Sequence, residues 1–87
     1  MRVTFDREAD AAYVYFSEQV AGSAVVAETR ELDDARALDY AADGTLLGVE
    51  FLYVSDGVSL SGVPDTEHIA AELHRLGISV TEESSAR

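Results

Sequence analysis

The chain reads as an α+β domain, a small antiparallel β-sheet of about five strands in meander-like order followed by one C-terminal helix. Three observations predict this. Short runs of β-branched and aromatic residues recur along residues 2–54, each bounded by a cluster of turn formers. Asp43-Gly44 stands between two of those runs, and that dipeptide is the strongest short-range hairpin signal a sequence carries. Beyond Pro64 the apolar spacing changes from two to the helical period.

Arg2-Val3-Thr4-Phe5 alternates polar and apolar and is the first expected strand. Asp6 to Asp10 is a charged connection in which Asp6 suits an Asx turn. Ala11 to Phe16 is a rich β run with Tyr13 and Tyr15 on one face and Val14 and Phe16 on the other, as expected inside a sheet. Ser17 to Gly22 reads as a loop, Ala24 to Glu31 as the third strand and Leu32-Asp33-Asp34 as a turn. Arg36 to Ala41 and Leu46 to Val54 are the fourth and fifth strands.

Two registers compete at Asp43-Gly44. A two-residue loop sets Asp39 opposite Gly48. A three-residue loop with a left-handed Gly44 pairs Ala41 with Thr45, Tyr40 with Leu46 and Arg36 with Glu50. The second is favoured. It gathers Ala37, Ala41, Leu47, Val49, Phe51 and Tyr53 on one face and gives Glu50 an ion-pair partner. It also places Asp39 on that apolar face.

Ser55 to Val63 is rich in Ser and Gly and reads as an irregular connection. A helix is expected from Pro64, with Asp65 and Glu67 complementing its dipole and Ile69, Leu73 and Leu76 forming one apolar stripe. Gly77 fits a Schellman stop in which Ile78 folds back on Leu73. Ile78-Ser79-Val80 has the composition of a short edge strand. The expected domain is residues 1–81, with 82–87 a frayed polar tail.

The chain has 87 residues and a net charge of −11. A chain of this size buries about 60–65% of its unfolded surface, enough for a modest core but not for a deep pocket as well. There is no cysteine, so neither a disulfide framework nor a thiolate metal site is available. The acidic balance disfavours nucleic acid and anionic membranes and would steer a basic protein partner. The opening residues lack an apolar signal run, and no segment approaches the ~20 apolar residues of a membrane span. The expectation is a cytoplasmic protein.

Asp39, inside a strand between Leu38 and Tyr40, is the carboxylate with most to explain. A buried carboxylate needs hydrogen bonds or a cation, so it is either a general base or metal ligand, or a structural acid held by Arg30, a tyrosine or backbone amides. The candidate binding set is Asp39, Glu50, Arg30 and Asp10. The turn acids Glu8, Asp10, Asp33, Asp34 and Asp43 lack an ordered calcium-loop spacing. His68 and His74 are six positions apart, roughly 120° from a common helix face, so they cannot chelate one metal. No serine stands in a nucleophile elbow, and there is no phosphate-cradling loop and no lysine. No catalytic residue, metal or cofactor is assigned.

The stretch Phe5-Asp6-Arg7-Glu8-Ala9-Asp10-Ala11-Ala12-Tyr13-Val14 resembles a small bacterial domain-of-unknown-function family catalogued under number 2283. So do Glu28 to Asp34, Leu38-Asp39-Tyr40 with Asp43-Gly44, and Gly48 to Leu52. The resemblance covers roughly residues 2–54. It implies a β-rich fold and brings no activity, substrate or catalytic residue. Occurrence beside small toxin-like proteins makes an antitoxin role conceivable.

The expectation is therefore a non-enzymatic protein-binding or structural module. A homodimer is expected because one helix covers only one face of a sheet that is apolar on both. One alternative is an antitoxin-like antagonist of a basic partner protein. Another is a small metal-binding or hydrolytic domain using Asp39 and Glu50.

Overall fold

The computed structural model describes residues 1–16 and 26–82. Five antiparallel strands form the main sheet: β1 (Arg2–Asp6), β2 (Ala11–Tyr15), β3 (Glu28–Asp33), β4 (Arg36–Tyr40) and β5 (Leu46–Leu52). Their spatial order is β1-β2-β5-β4-β3. After the first hairpin the chain passes to the far edge and returns through β3-β4-β5, so that β5 closes against β2. A single turn of 3₁₀ helix (Val54–Asp56), β6 (Val58–Ser59), helix α1 (Thr66–Arg75) and β7 (Val80–Glu82) follow. The fold is a small α+β arrangement with one α-helix after the main sheet.

The hairpin turns are made by their own side chains. Asp6 Oδ1 accepts the N–H groups of Glu8 and Ala9 at 3.0 and 3.1 Å, the expected Asx turn. At the β4–β5 turn the Ala41 N–H donates to the Thr45 carbonyl, the Gly44 N–H to that of Ala41, and Gly44 lies at φ 91°. This is the three-residue loop, with Gly in the left-handed position that a Cβ would strain. Asp43 Oδ1 accepts the Thr45 N–H, which holds its carboxyl below the usual range.

The favoured register survives only as far as Tyr40. Tyr40 faces Leu46, but Asp39 faces Gly48, so Leu47 is an extra residue in β5. This bulge reverses the parity of the rest of the strand pair. Arg36 therefore opposes Phe51 instead of Glu50, and Glu50 lies between Ala37 and Tyr13. Directly opposed residues share a face. Val14, Val49 and Leu38 thus line one face, while Tyr13, Glu50, Ala37, Gly48 and Asp39 line the other. Asp39 is not on the apolar face. The expected one-face set of Ala37, Ala41, Leu47, Val49, Phe51 and Tyr53 is likewise split. Ala37 and Leu47 are buried outside the main core cluster, and Tyr53 is 56% exposed in a left-handed conformation after the strand ends.

The core lies between Val14, Val49, Phe51 and Leu38 on the sheet and Leu60, Ile69, Ala70 and Leu73 beyond it. The Ser- and Gly-rich stretch after β5 is not a plain irregular connection. It carries Val54, Val58, Leu60 and Val63 into the core, and Val58–Ser59 pairs in parallel with β7. Arg36 ties this stretch to the sheet. Its Nη1 donates to the carbonyls of Ser59 and Ser61, while Nε and Nη2 donate to Asp33 Oδ2 at 3.1 and 2.9 Å. That contact holds the Asp33 carboxyl below the usual carboxylate range.

Helix α1 begins at Thr66 rather than Pro64, after a left-handed Asp65. Its end is the expected Schellman stop. The Ile78 N–H donates to the Leu73 carbonyl at 2.9 Å, the Gly77 N–H to that of His74 at 3.0 Å, and Gly77 lies at φ 83°. The expected edge strand after the helix runs Val80–Glu82. The loop read at Ser17–Gly22, the start of the third strand at 24–25 and residues 83–87 of the tail lie outside the described residues. Val26 and Ala27, also assigned to that strand, precede β3.

Candidate functional site

The face of the main sheet turned away from helix α1, its open face among the described residues, holds a hydrogen-bonded cluster. Tyr13 on β2 leans across β5 and donates its hydroxyl to Asp39 Oδ2 on β4 at 2.6 Å. Thr29 on β3 donates its hydroxyl to Asp39 Oδ1, also at 2.6 Å. One carboxylate therefore joins side chains from β2 and β3 across the middle of the sheet. It can do so because β5 has no side chain at Gly48, the residue that lies between them. A Cβ there would stand 2.6 Å from the Tyr13 hydroxyl oxygen and from the Val14 carbonyl oxygen, and closer still to ring carbon Cε1. Glycine inside a strand commonly marks such a close approach.

Burial pushes the Tyr13 phenol well above its ordinary range, and the Asp39 hydrogen bond and charge push it further the same way. The phenol is the donor of the Tyr13–Asp39 pair. Tyr15 stands beside it, ring centroids 4.6 Å apart and planes tilted by 48°, and the Arg2 guanidinium lies 5.2 Å over the Tyr15 ring. Glu50 is exposed on the same face, directly opposite Tyr13.

The four sequence-predicted binding residues do not converge. Asp39 and Glu50 share the open face. Arg30 instead lies 5.1 Å over the Tyr40 ring and 3.7 Å from the Glu28 carboxylate, so it is not the group that holds Asp39. Asp10 sits at the β1–β2 turn, where Oδ1 accepts the Ser55 N–H at 3.0 Å and Oδ2 the Ser55 hydroxyl at 2.7 Å. Its own carbonyl accepts the Val54 N–H at 3.1 Å. Asp10 thus caps the 3₁₀ turn from 45 residues away. Among the described residues no three His, Asp or Glu side chains converge as a metal-ligand group, and no pocket is present.

Sequence reasoning anticipated a tyrosine on Asp39 but missed Thr29 and Gly48. A glycine in the middle of an otherwise apolar strand was the signal available for the second. It also missed Ser55, for which no local signal exists.

Residues 2–55 match the family described as protein of unknown function (DUF2283), and the chain belongs to that family. No curated protein and no solved structure matches it. The matched stretch begins with β1 and ends at Ser55, the residue gripped by Asp10. It therefore contains the whole main sheet and the Tyr13–Asp39–Thr29 cluster, while β6, α1 and β7 lie beyond it.

Proposed function

We propose that the chain is a non-enzymatic protein-binding module that presents the open face of its main sheet. The state of Asp39 carries this reading. Both of its oxygens accept 2.6 Å hydrogen bonds. A carboxylate whose two oxygens are each engaged by a hydroxyl from a neighbouring strand serves as an acceptor that aligns those strands, and among the described residues no third ligating side chain joins it and Glu50. Its partner phenol is held protonated. An acid–base or metal role for Asp39 with Glu50 draws no support from this geometry.

What the cluster supplies is rigidity. Tyr13 is locked at its hydroxyl, and Tyr15 packs against it. Rigid tyrosines offer contact area at low conformational-entropy cost, which is why protein interfaces favour them. Affinity capture from the cell of origin tests the reading, with the parent chain as bait and a Tyr15→Ser/Glu50→Gln double variant as control. A partner held by the parent and lost by the variant is expected. Equal recovery by both, or none by either, would sink the proposal.

A second reading names the partner's chemistry as basic, as an antagonist of a small basic protein would require. The net charge of −11 favours it. Under this reading the captured partner elutes at about 1 M salt, where the screening length falls to about 3 Å. Retention at that ionic strength would point to an apolar contact instead.

A further inference from the structure

The sheet has two edges, and they differ in what they could pair with. β1 and β3 each have one neighbour among the described residues. A second copy adding antiparallel to β3 about a twofold axis normal to the sheet through Arg30 or Glu31, the two central residues, would set that residue opposite its own copy, a like-charge pair in either register. The ladder is also broken there by the irregularity between Glu31 and Asp33. That edge repels its own copy.

The β1 edge has the opposite character. Arg2-Val3-Thr4-Phe5-Asp6 is self-complementary about Thr4. In an antiparallel pair of two copies, Arg2 opposes Asp6, Val3 opposes Phe5 and Thr4 opposes itself. Both ends become opposite-charge pairs and both inner positions apolar pairs. The backbone phase fits as well. The Leu52 N–H points to Ala35, on the β4 side, and the Phe16 N–H to Leu47 on β5. Counting across the alternating ladders, Arg2, Thr4 and Asp6 bond inward to β2, so Val3 and Phe5 turn their N–H and C=O groups outward. Met1, Val3 and Phe5 are only partly buried although they pack against the core. Asp6 engages its turn through Oδ1, so that turn does not occupy Oδ2.

We infer that β1 is a homodimer edge, at which a second copy of this chain adds its own β1 antiparallel about a twofold axis through Thr4. The two sheets become one continuous sheet, and the half-buried Met1, Val3 and Phe5 layers of the two cores meet across the axis. The association belongs to the edge and not to the open face, so a partner on Tyr15 and Glu50 remains compatible with it.

Thr4 is exposed and makes no side-chain contact that the core needs, so substitutions there leave the fold intact. Sedimentation of the parent at about 10–100 µM is expected to give a dimer, and Thr4→Lys, which sets two like charges on the axis, is expected to return it to monomer. Thr4→Cys introduces the single cysteine of the chain. Under mild oxidation it is expected to cross-link at least about tenfold faster than Glu31→Cys on the other edge, because the paired edge raises its effective concentration toward millimolar. Circular dichroism confirms that each variant is folded. A parent that stays near 9.4 kDa overturns the inference. So does a dimer that survives Thr4→Lys and fails to cross-link through Cys at position 4.

Discussion

On the covered face of the sheet, Val14, Val49 and Phe51 meet Leu60, Ile69 and Leu73, and all six are fully buried. On the open face β2, β4 and β3 carry Tyr13, Asp39 and Thr29, joined by two 2.6 Å hydrogen bonds across Gly48 of β5 and covered by no part of the helix's apolar stripe. The first face is held by exclusion of water, about 1.5–3 kcal/mol for each large side chain removed from it. The second is held by directional contacts, each worth about 1–3 kcal/mol net when a charge takes part. Apolar burial forbids a one-residue slip, which would turn every side chain to the other face, but it is non-directional about individual contacts. A phenol reaching a carboxylate two strands away also fixes donor against acceptor. The open face therefore specifies alignment, while the covered face supplies most of the stability.

Phe51→Ala breaks the covered face at its centre. It is expected to cost about 3–5 kcal/mol in urea unfolding, the transfer term plus the cavity left beneath α1. A cost under about 1 kcal/mol would mean that the two faces do not differ in the way described.

Gly48→Ala attacks the alignment. The new methyl group meets the Tyr13 ring and the Val14 carbonyl. The expected cost is about 2–3 kcal/mol, at the upper end for overpacking. The same substitution in a Tyr13→Ala background separates the two obstacles. A positive coupling energy assigns the penalty to the ring, and strict additivity would assign it to the Val14 carbonyl alone.

Asp39→Ala removes the acceptor of both hydroxyls and leaves Tyr13 half-buried without a partner. Roughly 2 kcal/mol is expected, less than for a fully buried pair because the face is partly open to water. Parental stability at pH 7 would show that the cluster aligns nothing.

The smallest effect is on pH dependence. The Tyr13 phenol is raised in the folded chain. Its contribution is therefore fully present below the unfolded phenol value of about 10 and is lost as pH rises beyond it, since only the unfolded state ionises freely there. The parent is expected to lose stability above that pH more steeply than Tyr13→Phe does. Parallel profiles in thermal melts would remove the phenol from the account.

Much of the fold was legible because it is local. The Asx turn at Asp6, the left-handed Gly44 and the Schellman stop at Gly77 each depend on residues within a few positions of one another, and each formed as read. The extent of the main sheet was legible for the same reason. The resemblance over residues 2–54 agrees with the family match over 2–55. The candidate site was legible only in part. Asp39 was singled out as a carboxylate that a strand interior must satisfy through Arg30, a tyrosine or backbone amides; Tyr13 is that tyrosine, whereas Arg30 stacks on Tyr40. The stretch from Ser55 to Val63 was read from its Ser and Gly content, which masks the isolated Val58, Leu60 and Val63 that enter the core.

Residue type and short spacing were enough for the five strands of the main sheet, the turns at Asp6 and Gly44, the helix stop and the acidity. The tertiary structure alone decided which face each strand shows beyond the β4–β5 turn. Asp43-Gly44 sets a three-residue loop, but the bulge at Leu47 then turns Asp39 to the open face beside Gly48, where Tyr13, 35 positions from Gly48 in the chain, can lie across the gap. Asp10 and Ser55 are a second case, 45 residues apart and joined by two hydrogen bonds. No local pattern encodes such pairs. Each contact exists only once β5 has closed against β2, and it is that closure which turns two unremarkable residues into partners.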